Sequence, residues 1–209
     1  MTAVPAPGVL GQLLLGLVLF GVGLWLGLVA ELGVGPWDVL TGGLAELLGS
    51  SFGRTAIGVS VVVLLVGMAA GVRPGLGTLL NVVVIGAVID LLLASPLLRD
   101  LGAGPVLLRL AVVVLGIATV AVGSALYLGA HLGPGPRDGL MVALHTRTGW
   151  PVGAARAALE CAVLVVGVLL GGPVGIGTVL FAFGIGPAVQ LAFRLLRQSP
   201  VRPSTPVAA

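Results

Sequence analysis

Residues 33–38, GVGPWD, interrupt an apolar stretch with two glycines, a proline and a carboxylate, and residues 133–138, GPGPRD, repeat the interruption one hundred positions later. The register extends well beyond these hexapeptides. Leu32, Gly33, Gly35, Pro36, Asp38 and Leu40 match Leu132, Gly133, Gly135, Pro136, Asp138 and Leu140, and Gly49 and Gly53 match Gly149 and Gly153. The stretch GLGTLL at 75–80 meets GIGTVL at 175–180, and Ile85-Gly86 meets Ile185-Gly186. About a third of positions between 32 and 91 are identical to their partners without a gap. Glycine-rich sequence produces some coincidence, but not an ungapped register through two different motifs. The chain is an internal duplication.

Composition sets the class. Of 209 residues, 58% are hydrophobic and 8% charged, and the mean hydropathy is +1.23. A soluble domain carries about 25% charged residues, so this chain could not cover its own surface in water. Six apolar runs, at about 8–31, 54–71, 77–94, 105–130, 153–171 and 177–196, have the roughly twenty residues that a helix needs to cross a bilayer. They lack the short polar–apolar alternation of a transmembrane β-barrel. The first run has no preceding positive charge and is followed by further runs, so it is a span and not a signal peptide. The expected fold is all-α and polytopic.

After each interruption comes about a dozen helix-compatible residues, DVLTGGLAELLG and DGLMVALHTRTG, too short to span. Each copy therefore consists of span, break, half-length re-entrant helix, span, span. The copies run over 8–99 and 105–197 within one membrane domain covering 1–209. Three spans per copy is an odd number, so the second copy enters the bilayer from the opposite side, the inverted arrangement of several secondary transporters. If the half-length helices crossed, four spans per copy would make the duplication parallel.

The charge consists of ten arginines, no lysine and seven acids. With six crossings, Arg73, Arg137, Arg147, Arg194, Arg197 and Arg202 fall on the side of the termini and Arg54, Arg99 and Arg109 on the other. The positive-inside rule then predicts a multi-pass protein of the bacterial cytoplasmic (inner) membrane with both termini cytoplasmic, and 198–209 as a disordered cytoplasmic tail. Dispersed arginines without interleaved aromatics form no nucleic-acid surface. The single Cys161 allows no internal disulfide. His131 and His145 lack neighbours for a metal site, and GLGT has no lysine to complete a phosphate loop. No cofactor is expected, and no nucleophile–base constellation suggests an enzyme.

Nine residues are candidates for a pathway. Pro36 and Pro136 suit the first turn of a helix, which places Asp38 and Asp138 where free N–H groups and the helix dipole meet a carboxylate. Three readings stay open: the aspartates cap interfacial helices, they line a cavity with Trp37 and Arg137 beside them, or they couple directly to a cation or proton. Glu160 lies near mid-span, one turn after Arg156, either as a ligand or proton site or as half of a structural ion pair. Asp90 ends the third run and is expected to snorkel to the interface. Gly23/Gly27, Gly67/Gly71 and Gly167/Gly171 are small-xxx-small pairs of the kind that lets helices approach closely, and Thr78 and Thr178 suit helix starts.

GVGPWDVL, SFGRTAIGVSVVVLLVG and RPGLGTLLNVVVIGAVIDLLL resemble the YczE/YyaS/YitT family of bacterial integral membrane proteins. The similarity runs from about Gly21 to Leu191 and is specific in the first half; Arg137, Phe181 and Gln190 depart from it where the first copy has Trp37, Asn81 and Asp90. The resemblance implies a multi-pass protein of the bacterial cytoplasmic membrane and supplies neither substrate nor site residues. Within the lipid bilayer, the inverted pair with two breaks predicts a small-molecule or ion transporter or permease. The alternative is a non-transporting accessory protein that binds a membrane partner through its glycine-rich faces, and a third reading is the substrate-binding subunit of a larger importer. Homo-oligomers are compatible with each.

Overall fold

The computed structural model describes residues 6–198, and over them the chain forms eight α-helices and one 3₁₀ turn. The helices are α1 (Pro7–Val29), α2 (Pro36–Leu48), α3 (Phe52–Ala69), α4 (Leu76–Leu93), α5 (Val106–Gly129), α6 (Pro136–Thr148), α7 (Val152–Leu169) and α8 (Ile176–Leu195), with the 3₁₀ turn at Leu101–Ala103. No strand occurs among the described residues. Apart from Gln198, the expected tail lies outside the described residues. The bounds of α2 and α6, and of α3 and α7, differ by the offset of 100 at both ends.

Six helices, α1, α3, α4, α5, α7 and α8, are long and apolar enough to cross a membrane. The half-length helices α2 and α6 have 13 residues each, about 20 Å of helix against a hydrocarbon core of about 30 Å. Both start on a proline, whose missing N–H costs nothing in the first turn. Both end on a glycine in the left-handed region, Gly49 at φ 58° and Gly149 at φ 72°.

The two copies are joined along α1 and α5, which cross in opposite directions with backbones in contact. A Cβ on Gly16 would lie 2.8 Å from the carbonyl oxygen of Gly123, and one on Gly123 would lie 2.7 Å from that of Gly16. Gly23 and Gly116 stand in the same relation, at 2.7 and 2.8 Å. The offset that relates the copies turns one of these pairs into the other. Around this crossing Leu24, Val113, Ile117 and Val120 join Ile89 of α4 and Ile185 of α8 in the core. Arg109 of α5 closes the end of α1, its guanidinium donating to Ala30 O at 2.8 Å and Glu31 O at 2.7 Å.

The small-xxx-small reading needs correction. Gly23 and Gly167 do meet neighbouring backbone, but Gly27 and Gly71 have nothing within 4 Å of an added Cβ, and Gly67 has only Val72 at 4.0 Å. Gly71 and Gly171 have φ of 93° and 80°; they reverse the chain at helix ends instead of packing helices. Val72 N–H donates to Gly67 O at 2.9 Å and Gly172 N–H to Gly167 O at 2.8 Å, the six-to-one bond of a left-handed helix stop.

The α1–α5 crossing predicts that Gly16→Ala, whose Cβ would sit 2.6 Å from Tyr127 N, lowers stability by about 3 kcal/mol through overpacking. Gly27→Ala, whose Cβ would meet nothing within 4 Å, should instead raise it by up to about 1 kcal/mol, the helix-propensity gain of alanine over glycine. Thermal unfolding of both variants in detergent measures the contrast.

Candidate functional site

Each break is held by the other copy. At the end of α1 the chain turns out of helical geometry, and the carbonyl of Leu32 is left for a partner. Gly177, in the first turn of α8, donates its N–H to that oxygen at 2.7 Å, and Gly77 of α4 donates to Leu132 O at the same 2.7 Å. The approach requires glycine: a Cβ on Gly177 would overlap Gly33 O, and one on Gly75 would overlap Leu132 O. Thr78 completes one side by accepting from Gly75 N–H at 3.1 Å and donating to Pro134 O at 2.6 Å; Thr178 accepts from Gly175 N–H at 3.2 Å. The GLGT and GIGT motifs are therefore docking turns. They satisfy, inside the protein, the backbone groups that an interrupted helix exposes and that lipid could not satisfy.

The half-helices cross over in the same way, α2 packing on α7 and α6 on α3. This exchange brings the starts of α2 and α6 to one cavity of about 180 Å³. A single water needs about 10–15 Å³ by this measure, so the space is that of a small solute. Pro36, Trp37, Asp38, Pro136, Arg137, Asp138, Arg156 and Glu160 all line it, and Asp90 does not.

Each charged group in the cavity has a polar partner. Asp38 is 3% exposed, and its carboxylate faces the Arg137 guanidinium at 3.7 Å. That guanidinium also lies over the Trp37 ring, 5.0 Å from its centroid, a cation–π contact. Asp138 accepts from the Tyr127 hydroxyl at 3.0 Å. Arg156 Nε donates to Glu160 Oε1 at 2.8 Å along one face of α7. Trp37 and Arg137, which occupy matching positions in the two copies, therefore form one stacked unit across the pseudo-symmetric centre.

Sequence reasoning missed part of the lining. Tyr127, Ser124 and Phe20 enter from the α1–α5 pair and Asn81 and Phe181 from α4 and α8. Tyr127 is the single tyrosine of the chain and was the available signal: a phenol near a span's end needs a hydrogen-bond partner when buried. Asp90 is the clear departure from expectation. It does not snorkel; its carboxylate accepts from Gly53 N–H at 2.7 Å, Arg54 N–H at 3.2 Å and the Ser51 hydroxyl at 2.5 Å. It caps the start of α3 from α4, because the first N–H groups of that helix have no acceptors of their own.

Residues 10–194 match the model of DUF6198, a family of unknown function. The chain is 39% identical over 191 residues to an uncharacterized protein of Haemophilus influenzae, covering 90% of this chain and 84% of that one. It is 32% identical over 174 residues to the uncharacterized membrane protein YczE of Bacillus subtilis, covering 82% and 79%, and 26% identical over 167 residues to YyaS of the same organism, covering 79% and 83%. No solved structure matches. The resemblance to YczE and YyaS is thereby shown, and with the six apolar helices it makes this a multi-pass membrane protein.

The buried Asp38 predicts that Arg137→Ala destabilises the protein by about 1–3 kcal/mol, the cost of a buried polar group left without its partner. Adding Asp38→Asn should recover part of that loss. A double-mutant cycle on unfolding in detergent measures the coupling, and strictly additive effects would show the pair to be independent.

Proposed function

The chain belongs to the DUF6198 family, and we propose that it works as a small-molecule permease of the bacterial cytoplasmic membrane. The observation that carries the reading is the convergence of both sequence breaks on one charged cavity. Irregular backbone at membrane depth is tolerated where it is buried in protein or lines a water-filled space, and inverted-repeat transporters place their substrate sites at such half-helix starts. The opposed directions of α1 and α5, equivalent helices of the two copies, support the inverted reading. The arginine distribution supports cytoplasmic termini.

The cavity's electrostatics favour a neutral or zwitterionic solute. Three carboxylates (Asp38, Asp138, Glu160) face two guanidinium groups (Arg137, Arg156) and two helix N-termini, each equivalent to about half a positive charge. These contributions cancel, so a charged solute would enter at the cost of an unbalanced buried charge. A zwitterion exchanges partners with the Asp38–Arg137 and Arg156–Glu160 pairs without changing the balance. Trp37, Phe20 and Phe181 supply its apolar wall.

In proteoliposomes loaded against a panel of radiolabelled amino acids and betaines, the wild type is expected to move at least one solute, and Asp138→Asn or Glu160→Gln to slow it about tenfold or more. A triple variant, Asp38→Asn with Asp138→Asn and Glu160→Gln, that moves the solute at the wild-type rate removes this pathway. Stoichiometric co-purification with another membrane protein, without flux, favours the accessory role instead. Orientation has a separate readout: a C-terminal green fluorescent protein fusion should fluoresce, and a C-terminal alkaline phosphatase fusion should be inactive.

A further inference from the structure

The two copies differ at one pair of helices. α3 and α4 are closed on each other, with the backbones of Gly53 and Gly86 in contact: a Cβ on Gly86 would lie 2.6 Å from Gly53 O. Asp90 fastens this closure through its bonds to Ser51, Gly53 and Arg54. The equivalent helices α7 and α8 share no packed interface. Yet they keep both glycines, and Gly153 and Gly186 have nothing within 4 Å of an added Cβ. A glycine inside a helix costs up to about 1 kcal/mol relative to alanine, and nothing in the present arrangement uses these two. α8 alone also carries an internal proline, Pro187, directly after Gly186, where α4 has Ala87; the missing backbone bond makes this a point of bending.

We propose that α7 and α8 close on each other in a second state, Gly153 against Gly186, while α3 and α4 come apart, so that the two helix pairs are alternate gates of the central cavity. This rests on the permease reading and names its gates. Six crossings put the Ser51–Asp90 contact on the side away from the termini, and the gap between α7 and α8 on the side of the termini. The cavity is lined by matching residues on both sides, Ala56, Ser60, Ile85 and Ile89 of α3 and α4 and Arg156, Glu160, Ile185 and Val189 of α7 and α8. Only the first pair is packed together, so the present structure is closed on the first side and unclosed on the second. The preference has a chemical cause. Asp90 offers α3 a charged acceptor, whereas α8 has Gln190 and α7 starts on Pro151 instead of Ser51, so the second closure has only neutral bonds, about half as strong.

Cysteine cross-linking of the full chain in liposomes, on a Cys161→Ala background, tests this without any solute. Pro151→Cys with Gln190→Cys is expected to form an intramolecular disulfide under mild oxidation, and Ser51→Cys with Asp90→Cys is expected to do so from the closed α3–α4 pair. Adding Asp90→Asn to the first pair should speed its cross-linking about tenfold, the effect of losing one charge-assisted contact. Ser51→Ala should act in the same direction if Asp90→Asn does not fold. Cross-linking at 151/190 that fails where 51/90 succeeds, that occurs only between molecules, or that is indifferent to both latch variants overturns the proposal. Loss of the gates with solute flux intact would leave the permease reading standing; exchange of the gates without flux of any solute would do the reverse.

Discussion

The hydrogen bond from Gly177 N–H to Leu32 O, with its counterpart from Gly77 N–H to Leu132 O, is the contact on which the rest of the structure depends. A helix broken inside a membrane leaves carbonyls without donors, and a helix starting there leaves N–H groups without acceptors. Lipid answers neither need. Here each copy's helix start answers the other copy's break. Neither copy could place its own half-helix alone, and the cavity exists because both are placed together.

From this exchange follows the rest of the packing. α2 is carried onto α7 and α6 onto α3, so each half-helix belongs spatially to the opposite copy. The α1–α5 crossing supplies the rigid centre, with two glycine contacts that the repeat interchanges. Tyr127, on α5, reaches Asp138 of the break that follows it, while Arg137 reaches back across the centre to Asp38 and Trp37. One substitution between the copies, tryptophan against arginine, thereby becomes a complementary pair instead of a defect in the symmetry.

The duplication, the six apolar runs and the two half-length helices could all be read from residue order, because hydrophobic length and glycine–proline punctuation are local properties. The pairing of Arg156 with Glu160 was legible for the same reason, since residues four apart on a helix share a face. Asp90 was not: its partners Ser51, Gly53 and Arg54 lie more than thirty residues away, and hydropathy alone assigns a carboxylate at a span's end to the interface. The small-xxx-small glycines show the same limit. Gly67/Gly71 and Gly167/Gly171 have the right spacing, but only the backbone angles reveal that Gly71 and Gly171 serve as helix stops.

By itself, then, the sequence determined a duplicated, helical, membrane-spanning chain with an aspartate at the start of each half-helix, since these rest on periodicity, composition and repeat register. The tertiary structure alone decided that the aspartates face one shared cavity, that each has a different partner there, and that identical glycine pairs are packed in α3–α4 and apart in α7–α8. Those outcomes depend on contacts between residues far apart in the chain. A duplicated sequence specifies two equal sets of surfaces, but only the assembled bundle determines which of them touch.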